Sequence, residues 1–267
     1  MSAAVSTAPA TPAVGSPAPP RGDTIRDSGT VRRDSIRATG WTARGMAKIL
    51  GDVDVGAGTV TGLVAIGGSL TAESFRSRGT LDVHGSTAVR DRLAVDGTVH
   101  FGGSVRAGAV DARGTFRSPA ELRVDRELTV VGTLEAPSAR VGLLDLQGAA
   151  EIPGELSALG TVRARFHGDS RLGFVRARSV RLEGPPTALI PTLFRKVFGG
   201  AAAVEVGRIE AESVELRAVE VDFVRAKEIV LGPGAHVTTI EGTVVRRHPT
   251  SRVGPESRSP PPHGLSR

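Results

Sequence analysis

The chain has no cysteine and no tyrosine among its 267 residues, and aromatic residues make up only 3% of it. Without cysteine there is no disulfide, no thiolate nucleophile and no cysteine-ligated metal site. So few large rings cannot fill a wide globular core, although small aliphatic side chains can fill a narrow one. The scarcity of rings also argues against an aromatic stacking platform for single-stranded nucleic acid. The composition therefore favours a thin, regular architecture.

Positive charge is concentrated towards the two ends of the chain. The formal net charge is +6, yet residues 21–48 and 246–267 each carry a net +4, which leaves the remaining body at −2. Basic tails attract any polyanion without reading its sequence, so we do not expect a dedicated nucleic-acid site. No stretch approaches the roughly 18 apolar residues of a membrane span, and the basic start that a secretory signal requires is missing before Arg21. We therefore expect a cytoplasmic protein.

Composition divides the chain into five segments. Residues 1–44 are a Pro/Ala- and Arg-rich tail and residues 246–267 a basic tail. Both are expected to be disordered because they contain few large apolar groups. The strand pattern described next occupies residues 45–184 and resumes over residues 203–245, and residues 185–202 interrupt it as a short helix or loop.

A short repeat runs through the first patterned segment. Gly-Thr pairs recur at 79–80, 97–98, 114–115 and 132–133, at a nearly constant interval of about 17–18 residues. Each repeat holds two or three apolar–x–apolar pairs, among them Leu81/Val83, Leu93/Val95, Val99/Phe101, Leu122/Val124, Leu128/Val130 and Leu144/Leu146. Alternation over three residues is typical of a short strand with one buried face, and glycine allows the positive φ of a tight corner.

Three such strands per repeat predict one coil of a single-stranded parallel β-helix, a β-solenoid of about 17–18 residues per coil. One coil cannot bury its inward side chains alone, whereas stacked coils share a continuous core and a hydrogen-bond ladder. About ten coils at about 4.8 Å each predict a rod of about 48 Å. Right-handed coiling is the expectation, although no residue fixes the hand. A β-sandwich is the structural alternative, but its strands are longer and it has no reason for a constant period.

Residues 188–198 are the one concentrated run of large apolar side chains in the sequence. These side chains recur at helical spacing and are Ile190, Leu193, Phe194, Val197 and Phe198. The run either covers an apolar edge of the solenoid or forms a short anchor on a membrane surface, beside the cations Arg195 and Lys196. The sequence leaves both interpretations open.

Two stretches of the chain resemble the bactofilins, a family of polymer-forming bacterial cytoskeletal proteins. One is the opening run ILGDVDV at residues 49–55, and the more specific one is the block 211–234, which contains AESVEL, VRAK and IVLGPG. The block is similar to that of the longer, Bacillus-type members, which also interrupt the solenoid with a short apolar segment. The resemblance covers about residues 45–245. The chain departs from many members in lacking a short apolar membrane-targeting tip at its N-terminus.

The resemblance implies a non-enzymatic protein that assembles end to end into nucleotide-independent filaments and scaffolds cell-shape or envelope-associated processes. Each end coil of a solenoid exposes unpaired backbone groups that can template another subunit, and contact between unlike ends does not close. We place the first coil at Val53 and Val55 and the last at Val237 and Ile240, which are the candidate polymerisation residues. The expected partners are further copies of the chain, the inner membrane surface, and cytoskeletal or envelope-synthesis proteins bound through the tails.

Two other functions stay open, a left-handed β-helix acyltransferase and a monomeric solenoid that acts as a binding rod. The enzyme needs a strict hexapeptide spacing and a histidine as general base, whereas the period of this chain slips from one repeat to the next. His84 and His100 suit solvated positions better than a metal site, which needs a third ligand. No Gly-Gly pair opens a helix with a following lysine, as a phosphate loop does. We therefore predict no catalytic residue, no cofactor and no metal.

Overall fold

The computed structural model describes residues 24–185 and 203–254. These residues form fifteen strands in one sheet, with no helix among them, and every pair of neighbouring strands is parallel. Numbered in chain order, the strands are β1 Ile25–Arg33, β2 Ile36–Ile49, β3 Val53–Ile66, β4 Leu70–Val83, β5 Thr87–Phe101, β6 Val105–Arg117, β7 Leu122–Glu135, β8 Ala139–Ala158, β9 Thr161–Phe166, β10 Ser170–Arg176, β11 Ser179–Glu183, β12 Val204–Arg217, β13 Glu220–Leu231, β14 His236–Arg247 and β15 Arg252–Val253.

The chain winds as a β-solenoid of about 12 turns, which confirms the predicted all-β parallel coil. The register gives the length of each turn. Ile36 pairs with Val53 near the N-terminal end, and Thr87 pairs with Val105 in the middle of the rod, so these turns have the predicted period. Turns near the C-terminal end are shorter, since Glu205 of β12 pairs with Glu220 of β13.

Each turn has three sides, and each side directs two residues into the core. In β3 these are Val53 and Val55, then Gly58 and Val60, then Val64 and Ile66. We name the sides A, B and C in that order. Backbone pairing continues around two corners of each turn, so the three strands predicted for a coil join into one strand of 13 to 15 residues in β2 to β7. These strands end at the corner between sides C and A, and from β4 onward the register also shifts at the corner between sides A and B.

A column of glycines forms the corner between sides B and C. Gly62, Gly79 and Gly97 pair in register and have φ angles of 115°, 109° and 129°. Side chains rarely tolerate this conformation, and a Cβ there would overlap the backbone carbonyl of the preceding glycine in the column. The Gly-Thr repeat thus marks one corner of the solenoid, with each threonine just after it on the outside.

The interior is one continuous apolar column of mostly small and branched side chains, with a few large rings among them. On side B, Trp41, Gly58 and Phe75 follow one another in successive turns. The two rings lie 6.3 Å apart between centroids, across the turn that Gly58 occupies. Glycine therefore supplies the volume that the two rings share.

The solenoid begins earlier than the sequence predicts. β1 and β2 occupy residues 25–49, so the prediction of a disordered tail over 1–44 is wrong for residues 24–44, and residues 1–23 lie outside those described. The composition of this stretch is misleading because exposed arginines alternate with small inward residues such as Ala38 and Ala43, which carry a weak hydrophobic signal.

The C-terminal strands also extend beyond the predicted boundary. β14 runs to Arg247 and β15 is Arg252–Val253, so residues 246–247 and 252–253 belong to the ladder rather than to a tail. Upstream, β11 ends at Glu183 and β12 begins at Val204, on either side of the predicted interruption. The ladder continues across it, since Val180 pairs directly with Val214.

Candidate assembly surfaces at the two ends

The N-terminal end of the ladder is formed by β1, which pairs only with β2 among the described strands. Its outer edge carries backbone donors and acceptors with no described strand beside them. Because β1 starts on side B, no described strand covers side A of β2, where Ile36 and Ala38 point inward. The described part of this end is therefore a step one strand high.

Two charged side chains occupy inward positions of this first turn. Asp27 pairs in register with Ala43, and Arg33 pairs with Ile49, so both charges lie where the next turn has apolar groups. Nη2 of Arg33 donates to Oδ1 of Asp27 at 2.7 Å, and Nε1 of Trp41 donates to Oδ2 of Asp27 at 3.0 Å. Only 8% of Asp27 is exposed. These donors satisfy a carboxylate that burial alone would destabilise.

The same contacts set the protonation of the pair. Hydrogen bonds from Arg33 lower the pKa of Asp27, and burial, which acts in the opposite direction, does not outweigh them. The indole of Trp41 and the positive charge of Arg33 lower that pKa further. The hydrogen bond to Asp27 in turn raises the pKa of Arg33. The pair is therefore ionised at neutral pH.

The C-terminal end is formed by β14, with the two-residue strand β15 above side C. β15 pairs with His236 and Val237, and sides A and B of β14 have no described strand on their outer edge. On those sides Ile240 is partly buried against the core and Val244 is 39% exposed. This end is also a step one strand high, and its open part carries apolar side chains.

A short turn fixes the position of β15. The backbone N–H of His248 donates to the carbonyl of Leu231 at 2.7 Å, and the hydroxyl of Ser251 donates to the carbonyl of His248 at 2.7 Å. The N–H of Gly234 donates to the hydroxyl of Thr250 at 3.1 Å. The extra strand is thus held to the turn below it by its own connecting residues.

The structure separates the candidate polymerisation residues. Val53 and Val55 are buried in β3 between β2 and β4, so the prediction that they form the first coil is wrong. The prediction failed because two turns precede them, and the first described turn has inward charges that break the apolar alternation. Val237 and Ile240 do lie in β14, the last full turn, although Val237 is covered by Val253 of β15.

The remaining candidate residues give no second site. The apolar run Ile190, Leu193, Phe194, Val197 and Phe198 lies outside the described residues. In residues 24–185 and 203–254, no three histidine, aspartate or glutamate side chains are placed to hold a metal ion, and no helix is long and apolar enough to cross a bilayer. His100 pairs in register with Asp82 rather than with His84.

The chain matches no family model, no curated protein and no solved structure.

Proposed function

We propose that this protein is a structural β-solenoid that self-assembles end to end. The observation that carries the proposal is that, within the described residues, one continuous parallel ladder ends at both sides in a step one strand high, with no described strand beside it. The backbone groups of such an edge can pair with a strand of another molecule. Contact between unlike ends uses different surfaces on the two subunits, does not close and produces a filament.

We place the two steps in contact after a rotation of one third of a turn about the solenoid axis. The rotation is needed because the described ladder starts on side B and ends on side C. β15 of one subunit is then placed over side A of β2 in the next, the side with which no described strand of that subunit pairs on the outer edge. Side A of β14 stacks on side B of β1, which brings Ile240 against Ile25. Side B of β14 stacks on side C of β1, which brings Val244 against Val31.

This arrangement places apolar groups opposite each other at the first inward position of each open side. The four residues Ile25, Val31, Ile240 and Val244 are partly buried or exposed in the single chain, so assembly removes their apolar surface from water. Gly242 follows Ile240 at the next inward position and therefore lies opposite Asp27. Since Gly242 has no side chain, it does not clash with the buried carboxylate of Asp27.

Assembly of this kind requires no nucleotide, because backbone edges and apolar side chains make the contact. It is the mode of assembly that the resemblance to bactofilins implies. We extend the proposal to the role of that family, a non-enzymatic cytoplasmic scaffold for cell-shape or envelope-associated processes.

Sedimentation and negative-stain electron microscopy of the purified full chain, without nucleotide and with a chelator, test the proposal. We expect protein in the pellet and filaments one solenoid wide. A chain that stays monomeric at every concentration tested contradicts the proposal. Filaments that dissolve when the chelator is added contradict the claim that the contact needs no bound metal.

A further inference from the structure

A cluster of exposed cations lies along the corner between sides B and C in the first four turns. Its members are Arg26, Arg32, Arg44, Lys48, Arg76 and Arg78. None of them makes an ion pair within the described part of the chain. On these two sides of the four turns, Asp82 is the only acidic side chain that points outward among the described residues. We call this surface the basic ridge.

Two apolar side chains lie at the centre of the basic ridge. Met46 is 51% exposed and Leu63 is 48% exposed, and the two pair in register on adjacent turns. Arg44 and Lys48 are two residues away from Met46 on the same strand. Arg78 lies one turn beyond Leu63, just before the corner glycine. Solvent-exposed apolar side chains surrounded by cations indicate a partner that offers both an anionic surface and an apolar phase.

The charge of this corner reverses in the next four turns. There the outward acidic residues on sides B and C are Asp96, Asp111, Glu135, Asp145 and Glu151, against the cations Arg113 and Arg117. The change is sharp, since Arg78 pairs in register with Asp96. The basic ridge is thus a local feature of one end of the rod.

We propose that the basic ridge binds the surface of a bilayer that contains anionic lipids. The cations lie near headgroup phosphates, and each adds about fivefold to the affinity. Met46 and Leu63 enter the boundary between headgroups and acyl chains. Duplex nucleic acid would use the cations but offers no apolar phase for these two side chains, which is why the bilayer is favoured. The inference does not depend on end-to-end assembly, although a filament repeats the ridge and strengthens binding through avidity.

Vesicle flotation with the full chain tests the proposal. The probes are vesicles of phosphatidylcholine alone and of phosphatidylcholine mixed with phosphatidylglycerol. One variant removes the apolar pair (Met46→Ser with Leu63→Ser), and another reverses two charges (Arg44→Glu with Arg78→Glu).

Matched controls make the same changes elsewhere on the rod. Val131→Ser with Leu143→Ser alters apolar side chains that are 44% and 46% exposed. Arg113→Glu with Arg178→Glu reverses two exposed arginines that make no ion pair in the described structure.

We expect the wild type to float only with the anionic vesicles. Both ridge variants should lose about tenfold or more in the partition coefficient, and both controls should keep it. Equal binding to the two vesicle types, or equal losses in ridge and control variants, overturns the proposal. So does binding to a DNA duplex that matches binding to vesicles and is unaffected by the loss of Met46 and Leu63. Sedimentation of each variant without vesicles reports assembly separately.

Discussion

Gly58 leaves open the space that the ring of Phe75 fills one turn later on side B, and a Cβ at this glycine would overlap the ring. Because Trp41 lies on the opposite side of the same turn, neither ring has room to withdraw. We predict that Gly58→Ala lowers the free energy of unfolding by about 1–3 kcal/mol, as overpacking of a well-filled core does. Urea unfolding followed by circular dichroism measures the change.

Gly168→Ala is the matched control for that substitution. A Cβ at Gly168 meets only the side chain of Ala149, at an ordinary van der Waals distance of 3.6 Å. Its unfolding midpoint should stay near that of the wild type or rise slightly. An equal drop in the free energy of unfolding in both variants would contradict this explanation. It would show that the backbone conformation requires glycine at these positions, rather than the space that the two rings occupy.

The contact between Asp27 and Arg33 should stabilise the first turn. Asp27→Asn removes the negative charge while Arg33 and Trp41 still point into the same space, and we expect a loss of about 1–3 kcal/mol. Trp41 is the only tryptophan of the chain, so its fluorescence reports this turn directly. The fluorescence transition in urea should move to lower concentration in the variant, with a smaller change in the circular dichroism of the whole rod. Coincident wild-type and variant fluorescence curves would contradict the stabilising role.

Acid should release the same contact. The pKa of Asp27 is lowered from its ordinary value of 3.8, so the folded state binds the proton more weakly than the unfolded state does. The contribution to stability is therefore present at neutral pH and disappears as the pH falls from about 4 through the folded-state pKa. We expect the Trp41 transition of the wild type to approach that of Asp27→Asn in acid. A difference between the two that is unchanged at low pH contradicts this assignment.

Two buried hydroxyls of the described residues, those of Ser77 and Thr87, have no hydrogen-bond partner. Thr87 lies between Leu70 and Val105 in the side A column, where a methyl group fits better than a hydroxyl. We predict that Thr87→Val raises the free energy of unfolding by about 1 kcal/mol. Ser118→Ala should instead lower the free energy of unfolding, because the hydroxyl of Ser118 donates a hydrogen bond to the carbonyl of Ala120 at 3.0 Å. Thermal unfolding of both variants should show shifts of opposite sign, and shifts in the same direction would refute the explanation.

Charge at the open end should block assembly without unfolding the rod. Ile240→Glu places a carboxylate in the proposed contact, where an unpaired charge costs several kcal/mol. We expect loss of sedimentation with a preserved thermal transition. Val53→Lys introduces a charge into an inner turn and should instead unfold the protein, which circular dichroism would detect. Normal filaments from Ile240→Glu contradict the end-to-end contact.

The repeat made most of the fold predictable from the sequence. The Gly-Thr period and pairs such as Leu81/Val83 identify inward positions directly, because burial on one face of a strand imposes alternation. The start of the ladder was not predictable in this way. Its first turn contains Asp27 and Arg33 at inward positions, and only their mutual contact, which the sequence does not show, allows their burial.

The basic ridge was missed for a different reason. A strand pattern assigns apolar residues to the core, yet Met46 and Leu63 point outward because each follows a corner glycine. The inward alternation keeps its phase through this corner, because Ala43 and Ala47 point inward on either side of Gly45 and Met46 takes an outward position. The preference of large apolar residues for the core conflicts with that phase, and the structure shows that the alternation decides.

Disulfide cross-linking between unlike ends tests the central claim most directly. Because the sequence contains no cysteine, only the introduced residues can form a disulfide. In the proposed contact Glu241 lies over Arg26 on adjacent strands about 4.8 Å apart, within the range that a disulfide spans. The chain with Arg26→Cys and Glu241→Cys should give a ladder of dimers, trimers and longer oligomers on oxidation. Arg26→Cys with Arg225→Cys, one turn further from the end, should stay monomeric. Monomers alone from the first pair, or dimers from Glu241→Cys by itself, would contradict head-to-tail assembly.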